Sequence, residues 1–208
     1  MELMVSTFIV LFSVIDPVGV AWMFASMVHG VEIKQQRRMA VNATVLSSVI
    51  LIIFFFTGTV LLDWFGITIP AFRIAGGALL LLLSVEMVFA RQSGLRSTTS
   101  GEQQEAETRQ DISVFPLAFP LLAGPGALTT VLLMTSSSQD TVVFWQMFAV
   151  LCLVLIITLI SLLSAPLLSR MLGETGANMI SRILGLLLAA LAVQYIIDGI
   201  KTSFNLVS

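Results

Sequence analysis

Six apolar stretches, each long enough to cross a lipid bilayer, constrain the fold of this chain more than any other feature. A membrane-spanning helix requires about 20 mostly apolar residues. Hydrophobic residues make up 57 % of the sequence and charged residues only 11 %, which is more apolar surface than a soluble domain of this size can bury. The sequence therefore predicts an all-α membrane protein with six transmembrane helices. The predicted spans are residues 4–28, 39–62, 69–90, 112–135, 141–166 and 178–200.

One long polar connection, residues 91–111, divides the chain into two regions of three spans each, 1–90 and 112–208. A solvated hinge between the two halves is favoured over a partner-docking segment, because Ser, Thr, Gln and Glu dominate its composition. Basic residues concentrate in the first, third and fifth connections, which predicts that these connections are cytoplasmic and that both termini lie outside. These basic residues are Lys34, Arg37, Arg38, Arg91, Arg96, Arg109 and Arg170.

Several functional classes find no support in the sequence. The net charge of −2 does not indicate a nucleic-acid partner. The single cysteine, Cys152, lies in an apolar run and cannot form an internal disulfide. The only histidine, His29, lies in a connection, and the common serine-hydrolase, zinc-protease and phosphate-loop motifs are absent. We therefore expect no catalytic residue, no metal and no cofactor.

The two halves carry matching motifs at nearly constant separation. Pro17 and Pro125 are 108 residues apart, and Arg73 and Arg182 are 109 residues apart. Each arginine is followed directly by isoleucine, and a glycine lies three residues after the arginine. Because each half contains an odd number of spans, the halves must have opposite orientations in the membrane. The sequence thus predicts two inverted three-helix repeats, an architecture found in many secondary transporters.

The matched prolines predict that helices 1 and 4 are broken near the midplane of the bilayer. Asp is a strong N-cap and Pro is favoured at the first helical position, so Asp16-Pro17 predicts a helix start inside the first span. Gly124-Pro125-Gly126 predicts the same in the fourth span. Each span would then consist of two half-helices joined by a short unwound segment. A proline kink in a continuous helix is the alternative. Unwound backbone at this depth requires burial in protein or a wet cavity, so a shared cavity is expected.

The predicted breaks could bind a small charged solute. Helix N-termini carry partial positive charge and free N–H groups suited to a carboxylate, and a buried aspartate offers the opposite charge. The alternative for the aspartate is a cap that satisfies only backbone N–H groups. The predicted substrate-binding residues are Asp16, Pro17, Val18, Gly19, Gly124, Pro125, Gly126, Thr129 and Thr130.

Three further polar residues within spans are candidates for lining the path: Asn42, Glu86 and Gln194. For Glu86 the alternative is a side chain that extends to the membrane interface. For Asn42 and Gln194 the alternative is hydrogen bonding between helices.

Two stretches around these breaks resemble the MarC family of bacterial and archaeal membrane proteins. They are Asp16-Pro17-Val18-Gly19 and the segment from Pro116 to Ala127, PLAFPLLAGPGA. Gly76-Gly77 and the segment from Gln194 to Ile200 are also similar to the family. Val20 and Trp22 differ, since the family usually has Asn and Pro there.

The resemblance covers essentially the whole chain, and it implies a six-span inner-membrane protein with outside termini and a cytoplasmic central loop. It also implies transport, since an archaeal relative of the SnatA type carries small neutral amino acids. The sequence and the resemblance together predict a secondary transporter of small neutral amino acids or a similar zwitterionic solute, working by alternating access. An intramembrane enzyme and a non-transporting scaffold are the competing hypotheses. The expected partners are the bilayer, the substrate and a coupling proton or sodium ion. Substrate identity, direction of transport and oligomeric state do not follow from the sequence.

Overall fold

The computed structural model describes residues 2–89, 111–136 and 140–204, and in these residues the protein is entirely helical. The predicted linker at 91–111 lies outside the described residues except for Asp111. The helical segments are α1 (Glu2–Ile15), α2 (Pro17–Met27), α3 (Ile33–Trp64), α4 (Ile69–Phe89), α5 (Ser113–Leu122), α6 (Pro125–Ser136), α7 (Thr141–Leu163) and α8 (Ala165–Ser203).

Five candidate membrane spans follow from helix length and composition. They are α1 with α2 (Leu3–Met27), α3, α4, α7 and α8. The segments α5 and α6 are bent by 50° at their junction and give a sixth span if they are counted as one. The all-helical membrane fold predicted from the sequence is thereby confirmed.

The junction of α1 and α2 consists of one residue. Asp16 has left-handed backbone angles (φ 51°, ψ 64°), and Pro17 begins α2. The Asp16 N–H donates to the Phe12 carbonyl and the Val20 N–H donates to the Asp16 carbonyl, both at 2.9 Å. Backbone hydrogen bonding therefore continues on both sides, and the interruption is shorter than the unwound segment expected from the sequence.

The segment α5 is not the regular half-helix that the sequence analysis predicts for the start of the fourth span. Phe115 and Phe119 have extended backbone angles, because a residue before proline is disfavoured in the helical region and each of them precedes a proline. Wide turns with bonds between residues five apart replace the α-helical pattern. The Leu117 N–H donates to the Ile112 carbonyl at 3.2 Å, and the Ala123 N–H donates to the Ala118 carbonyl at 2.9 Å.

The last helix begins earlier than the predicted span at 178–200. Only Ser164 separates the end of α7 from the start of α8, so Arg170 lies on a helix rather than in a connection. Pro166 is tolerated there because the first turn of a helix needs no N–H donor. Gly173 interrupts α8 with φ 59° and ψ −176°, a combination that essentially only glycine adopts.

The helices α4 and α8 pack antiparallel at unusually close range through glycines. A Cβ at Gly77 would lie 2.8 Å from the Ala192 carbonyl oxygen, and a Cβ at Gly185 would lie 3.1 Å from the Ser84 carbonyl oxygen. Farther along, a Cβ at Gly199 would lie 2.9 Å from the Pro70 carbonyl oxygen. Small residues at a membrane helix interface permit such close approach of two backbones.

We expect Gly77→Ala to destabilise the protein by about 1–3 kcal/mol, as overpacking of a close interface does. The added methyl group would press on the backbone of α8, which cannot rotate away as a side chain can. Gly176→Ala is the matched control, since the nearest atom there is the Leu172 Cβ of the same helix at 3.2 Å. Thermal unfolding in detergent measures both variants. Equal unfolding temperatures for the two would contradict the proposed interface.

The N-terminal ends of α3 and α5 lie near each other. The Ser113 N–H donates to Oδ1 of Asp111 at 2.9 Å. Hydrogen bonds from Ser113 hold the pKa of Asp111 below its ordinary value, and the charge of Arg38 adds to this effect. Because Arg38 belongs to the first turns of α3, the starts of the second and fourth spans share one face of the protein.

Candidate functional site

The carboxylate of Asp16 is buried and links two distant parts of the chain. The residue is 1 % exposed. Its Oδ1 accepts a hydrogen bond from the Gly19 N–H at 3.1 Å, which makes it the N-cap of α2. Its Oδ2 accepts a hydrogen bond from Oγ of Ser181 on α8 at 2.8 Å. Asp16 is therefore both a helix cap and the point that joins α2 to α8.

The backbone of Asp16 also restricts which residues can replace it. Asp16 is the only non-glycine residue with positive φ in the part of the chain that the structure describes. The left-handed conformation costs about 1–2 kcal/mol for most residues, and Asp and Asn tolerate it because their short side chains hydrogen-bond locally. Conformation and capping thus both favour Asp or Asn at this position.

Gly19 leaves the space that the contact between Asp16 and Ser181 occupies. A Cβ at Gly19 would overlap Oδ2 of Asp16 and would lie 2.7 Å from Oγ of Ser181. Of the other residues predicted at this break, Pro17 is buried at the first position of α2, and Val18 is half-buried.

The second break is adjacent to the first through the last turn of α1. A Cβ at Gly126 would lie 3.4 Å from Cγ1 of Val14, which precedes Asp16 by two residues, and 2.7 Å from Cδ2 of Leu83. Val14 also lines a cavity of about 10 Å³ with Gly124, Pro125 and Gly126. That volume is about the smallest that holds one water molecule. The space beside the second break is therefore too small for a substrate in this conformation.

The two threonines predicted to line the site serve helix packing here. Thr129 and Thr130 are buried on α6. Oγ1 of Thr130 donates to the Gly126 carbonyl at 2.8 Å. The methyl group of Thr129 occupies the position where a side chain at Gly76 would lie. The α4–α6 contact, like the α4–α8 contact, therefore depends on a glycine.

The three predicted path-lining residues lie in different surroundings. Asn42 is exposed on α3. Gln194 is exposed on α8, and its amide donates to Oδ1 of Asp198 at 2.9 Å. The Gln194 side chain also borders a largely apolar open groove of about 730 Å³ between α1 and α8. Glu86 is half-buried on α4, one turn from Leu83, which contacts the second break. The structure thus places Asn42 and Gln194 on the outer surface of the helices.

Two serines near Asp16 are absent from the sequence-based site. Ser181 lies near the start of the predicted sixth span, and its spacing from Asn178 at i+3 was a weak signal that polar residues share one helical face. Ser13 lies one turn before Asp16 and is 0 % exposed, and its Oγ has no hydrogen-bond partner within the described residues. Ser13 therefore offers a buried hydroxyl that the described residues do not satisfy.

No three His, Cys, Asp or Glu side chains in residues 2–89, 111–136 and 140–204 are grouped so that they could hold a metal ion. The candidate site thus consists of one buried carboxylate, hydroxyl groups and helix ends.

Comparisons with known proteins cover nearly the whole chain. The family model described as "MarC family integral membrane protein" matches residues 1–204. The chain is 35 % identical over 197 residues to the UPF0056 membrane protein YhcE of Escherichia coli (strain K12), covering 95 % of this chain and 91 % of the relative. It is 34 % identical over 198 residues to a UPF0056 membrane protein of Archaeoglobus fulgidus, covering 94 % of this chain and 91 % of the relative. It is 32 % identical over 200 residues to the UPF0056 membrane protein YvbG of Bacillus subtilis (strain 168), covering 96 % of this chain and 95 % of the relative. No solved structure matches the chain.

Proposed function

The chain belongs to the MarC family of integral membrane proteins, and we propose that it is a secondary transporter of small neutral amino acids or a similar small zwitterionic solute. The observation that carries this proposal is the buried Asp16 carboxylate, held by Ser181 of α8 at an interruption between two helices. Ionisable residues inside membrane spans are costly and usually mark a substrate or ion pathway. A scaffold would use this group only as a helix cap and a contact to α8.

The architecture that we propose is two inverted three-helix repeats with helices 1 and 4 broken near the midplane. The repeat offset of 108–109 residues relates Gly76-Gly77 of α4 to Gly185 of α8. In the packed pair, Gly77 faces the backbone of α8 and Gly185 faces the backbone of α4. Such reciprocal contacts are expected of two equivalent helices around a two-fold axis. The one-residue junction at Asp16 and the 50° bend between α5 and α6 support the two breaks.

A zwitterion fits the groups that the breaks provide. Asp16 supplies negative charge for an ammonium group, directly or through a coupling cation. The first turn of α6, which begins at Pro125, presents backbone N–H groups and the positive end of a helix dipole to a carboxylate. The unpartnered hydroxyl of Ser13 offers one more hydrogen-bonding group in the turn before Asp16.

The conformation described is a closed state of the proposed transport cycle. The cavity beside Gly124-Pro125-Gly126 is about 10 Å³, which excludes even a small amino acid. Opening requires Val14 of α1 and Leu83 of α4 to move away from Gly126, since these side chains close the cavity. Alternating access would move the broken helices relative to the α4–α8 pair, whose backbones are in close contact.

We propose an inner-membrane location with both termini outside. The basic residues of the first and third connections support this orientation, as does Arg170 near the start of α8. The N-terminal ends of α3 and α5 lie on one face of the protein, where Arg38 and Asp111 interact. This arrangement agrees with the proposed orientation, in which both ends are cytoplasmic.

Thermal stabilisation by candidate substrates tests the proposal. We expect glycine, alanine or serine to raise the unfolding temperature of the purified protein, while acetate and methylamine, which carry only one of the two charges, do not. A ligand at 100 times its Kd stabilises the folded state by about 2.7 kcal/mol. The absence of any shift across the neutral amino acids would contradict the proposal and would favour a scaffold.

A further inference from the structure

The part of α8 that follows the Gly173 interruption carries a stripe of polar residues. Glu174, Asn178, Ser181 and Arg182 recur at helical spacing in a chain whose spans are otherwise mostly apolar. Polar and charged side chains facing lipid are costly, so they are expected to face protein or water. The stripe indicates that this face of α8 is hydrated.

A cavity of about 460 Å³ lies along this stripe. Its described lining residues are Glu174, Thr175, Asn178, Met179, Arg182 and Ile183. All six lie on α8 and five of them are exposed, so this cavity is an open depression along the helix and not an enclosed pocket.

Ser181 connects the cavity to the buried carboxylate of Asp16. It follows Asn178 by three residues and precedes Arg182 by one, so it lies beside the lining residues on the helix. It is half-buried, whereas Asp16 is almost completely buried. The 2.8 Å hydrogen bond from Ser181 to Asp16 therefore crosses from the edge of the cavity to the first break.

We propose that this cavity, which we call the α8 vestibule, is a water-filled entrance through which a small dipolar solute reaches Asp16. Glu174 and Arg182 carry opposite charges about two helical turns apart, so the vestibule as a whole favours neither a simple anion nor a simple cation. The Asp16–Ser181 hydrogen bond lies at the inner end of the vestibule. The nature of the solute rests on the proposed function, whereas the presence of water in the vestibule does not.

Cysteine accessibility tests the vestibule directly. Cys152, the only native cysteine, is replaced by serine, and single cysteines are introduced at Asn178, Ser181 and Leu186. Leu186 is 67 % exposed on the same helix but does not line the cavity. A charged methanethiosulfonate reagent is added to the side of the membrane on which the start of α8 lies.

We expect Asn178→Cys to react about tenfold or more faster than Leu186→Cys, because the reactive thiolate forms in water and not in lipid. Ser181→Cys should react at an intermediate rate, since it lies at the inner end. Equal rates at Asn178→Cys and Leu186→Cys, or protection of Asn178→Cys, would overturn the vestibule. Accessibility does not depend on transport, so labelled Asn178→Cys in a protein that binds no amino acid would refute the proposed function alone.

Discussion

Asp16→Ala is expected to destabilise the folded protein by about 2–4 kcal/mol and to abolish transport. Alanine cannot cap α2, and it is strained in the left-handed conformation that Asp16 adopts. The change also removes the acceptor for Ser181, although that hydroxyl is only half-buried. Thermal or denaturant unfolding in detergent measures the stability, and substrate-dependent thermal shifts measure binding in whatever fraction remains folded.

Asp16→Asn separates the charge from the structural roles. Asparagine tolerates the left-handed conformation, caps helices and accepts a hydrogen bond from a serine. If Asp16 is the counter-charge for the ammonium group, this variant should weaken substrate binding by about 2–5 kcal/mol while it stays folded. If Asp16 instead carries the coupling proton, the variant should bind and exchange substrate but lose accumulation driven by a pH gradient.

The same variant can refute both roles of Asp16. A protein with Asp16→Asn that binds and accumulates substrate like the unmodified protein would show that Asp16 is only a helix cap and a contact to α8.

Gly19→Ala is expected to break the hydrogen bond between Asp16 and Ser181 and to cost about 1–3 kcal/mol. The added methyl group would overlap the Asp16 carboxylate and would press on the Ser181 hydroxyl. The carboxylate has little freedom to move, because its other oxygen is bound to the Gly19 N–H. We therefore expect this variant to lose transport through displacement of Asp16, although it retains the charge.

A double-mutant cycle identifies the cause of the Gly19→Ala effect. In a Ser181→Ala background the clash with Oγ of Ser181 is absent, so Gly19→Ala should cost less than it does in the unmodified protein. Contacting residues usually show coupling of about 0.5–3 kcal/mol. Gly176→Ala, whose nearest neighbour lies on its own helix, is the matched control and should be nearly neutral. Additive effects of Gly19→Ala and Ser181→Ala would show that the clash is not responsible.

Local chemistry explains what could be predicted from the sequence. Long apolar stretches required membrane spans, and Asp16-Pro17 carried its own capping signal. The irregular α5 was also foreseeable, since each of Pro116 and Pro120 restricts the residue before it. The early start of α8 was harder to predict, because residues 167–177 fall between two predicted spans and contain Gly173, which interrupts the helix without ending it.

The contacts between distant segments could not be predicted in this way. The partner of Asp16 lies 165 residues away on another helix, and only tertiary packing brings the two together. The exposure of Asn42 and Gln194 could not be predicted from the sequence for a related reason. In a membrane both the lipid-facing and the packed sides of a helix are apolar, so polarity alone does not identify the inner side.

Uptake by proteoliposomes that contain only the purified protein tests the central claim most directly. We expect radiolabelled glycine or alanine to accumulate inside the vesicles when a proton or sodium gradient is imposed, and to be recovered chemically unchanged. Protein-free vesicles and vesicles with Asp16→Ala should show only leakage. Recovery of a chemically altered solute would identify an enzyme. No uptake of any small neutral amino acid under either gradient, by protein shown to be folded, would contradict the account.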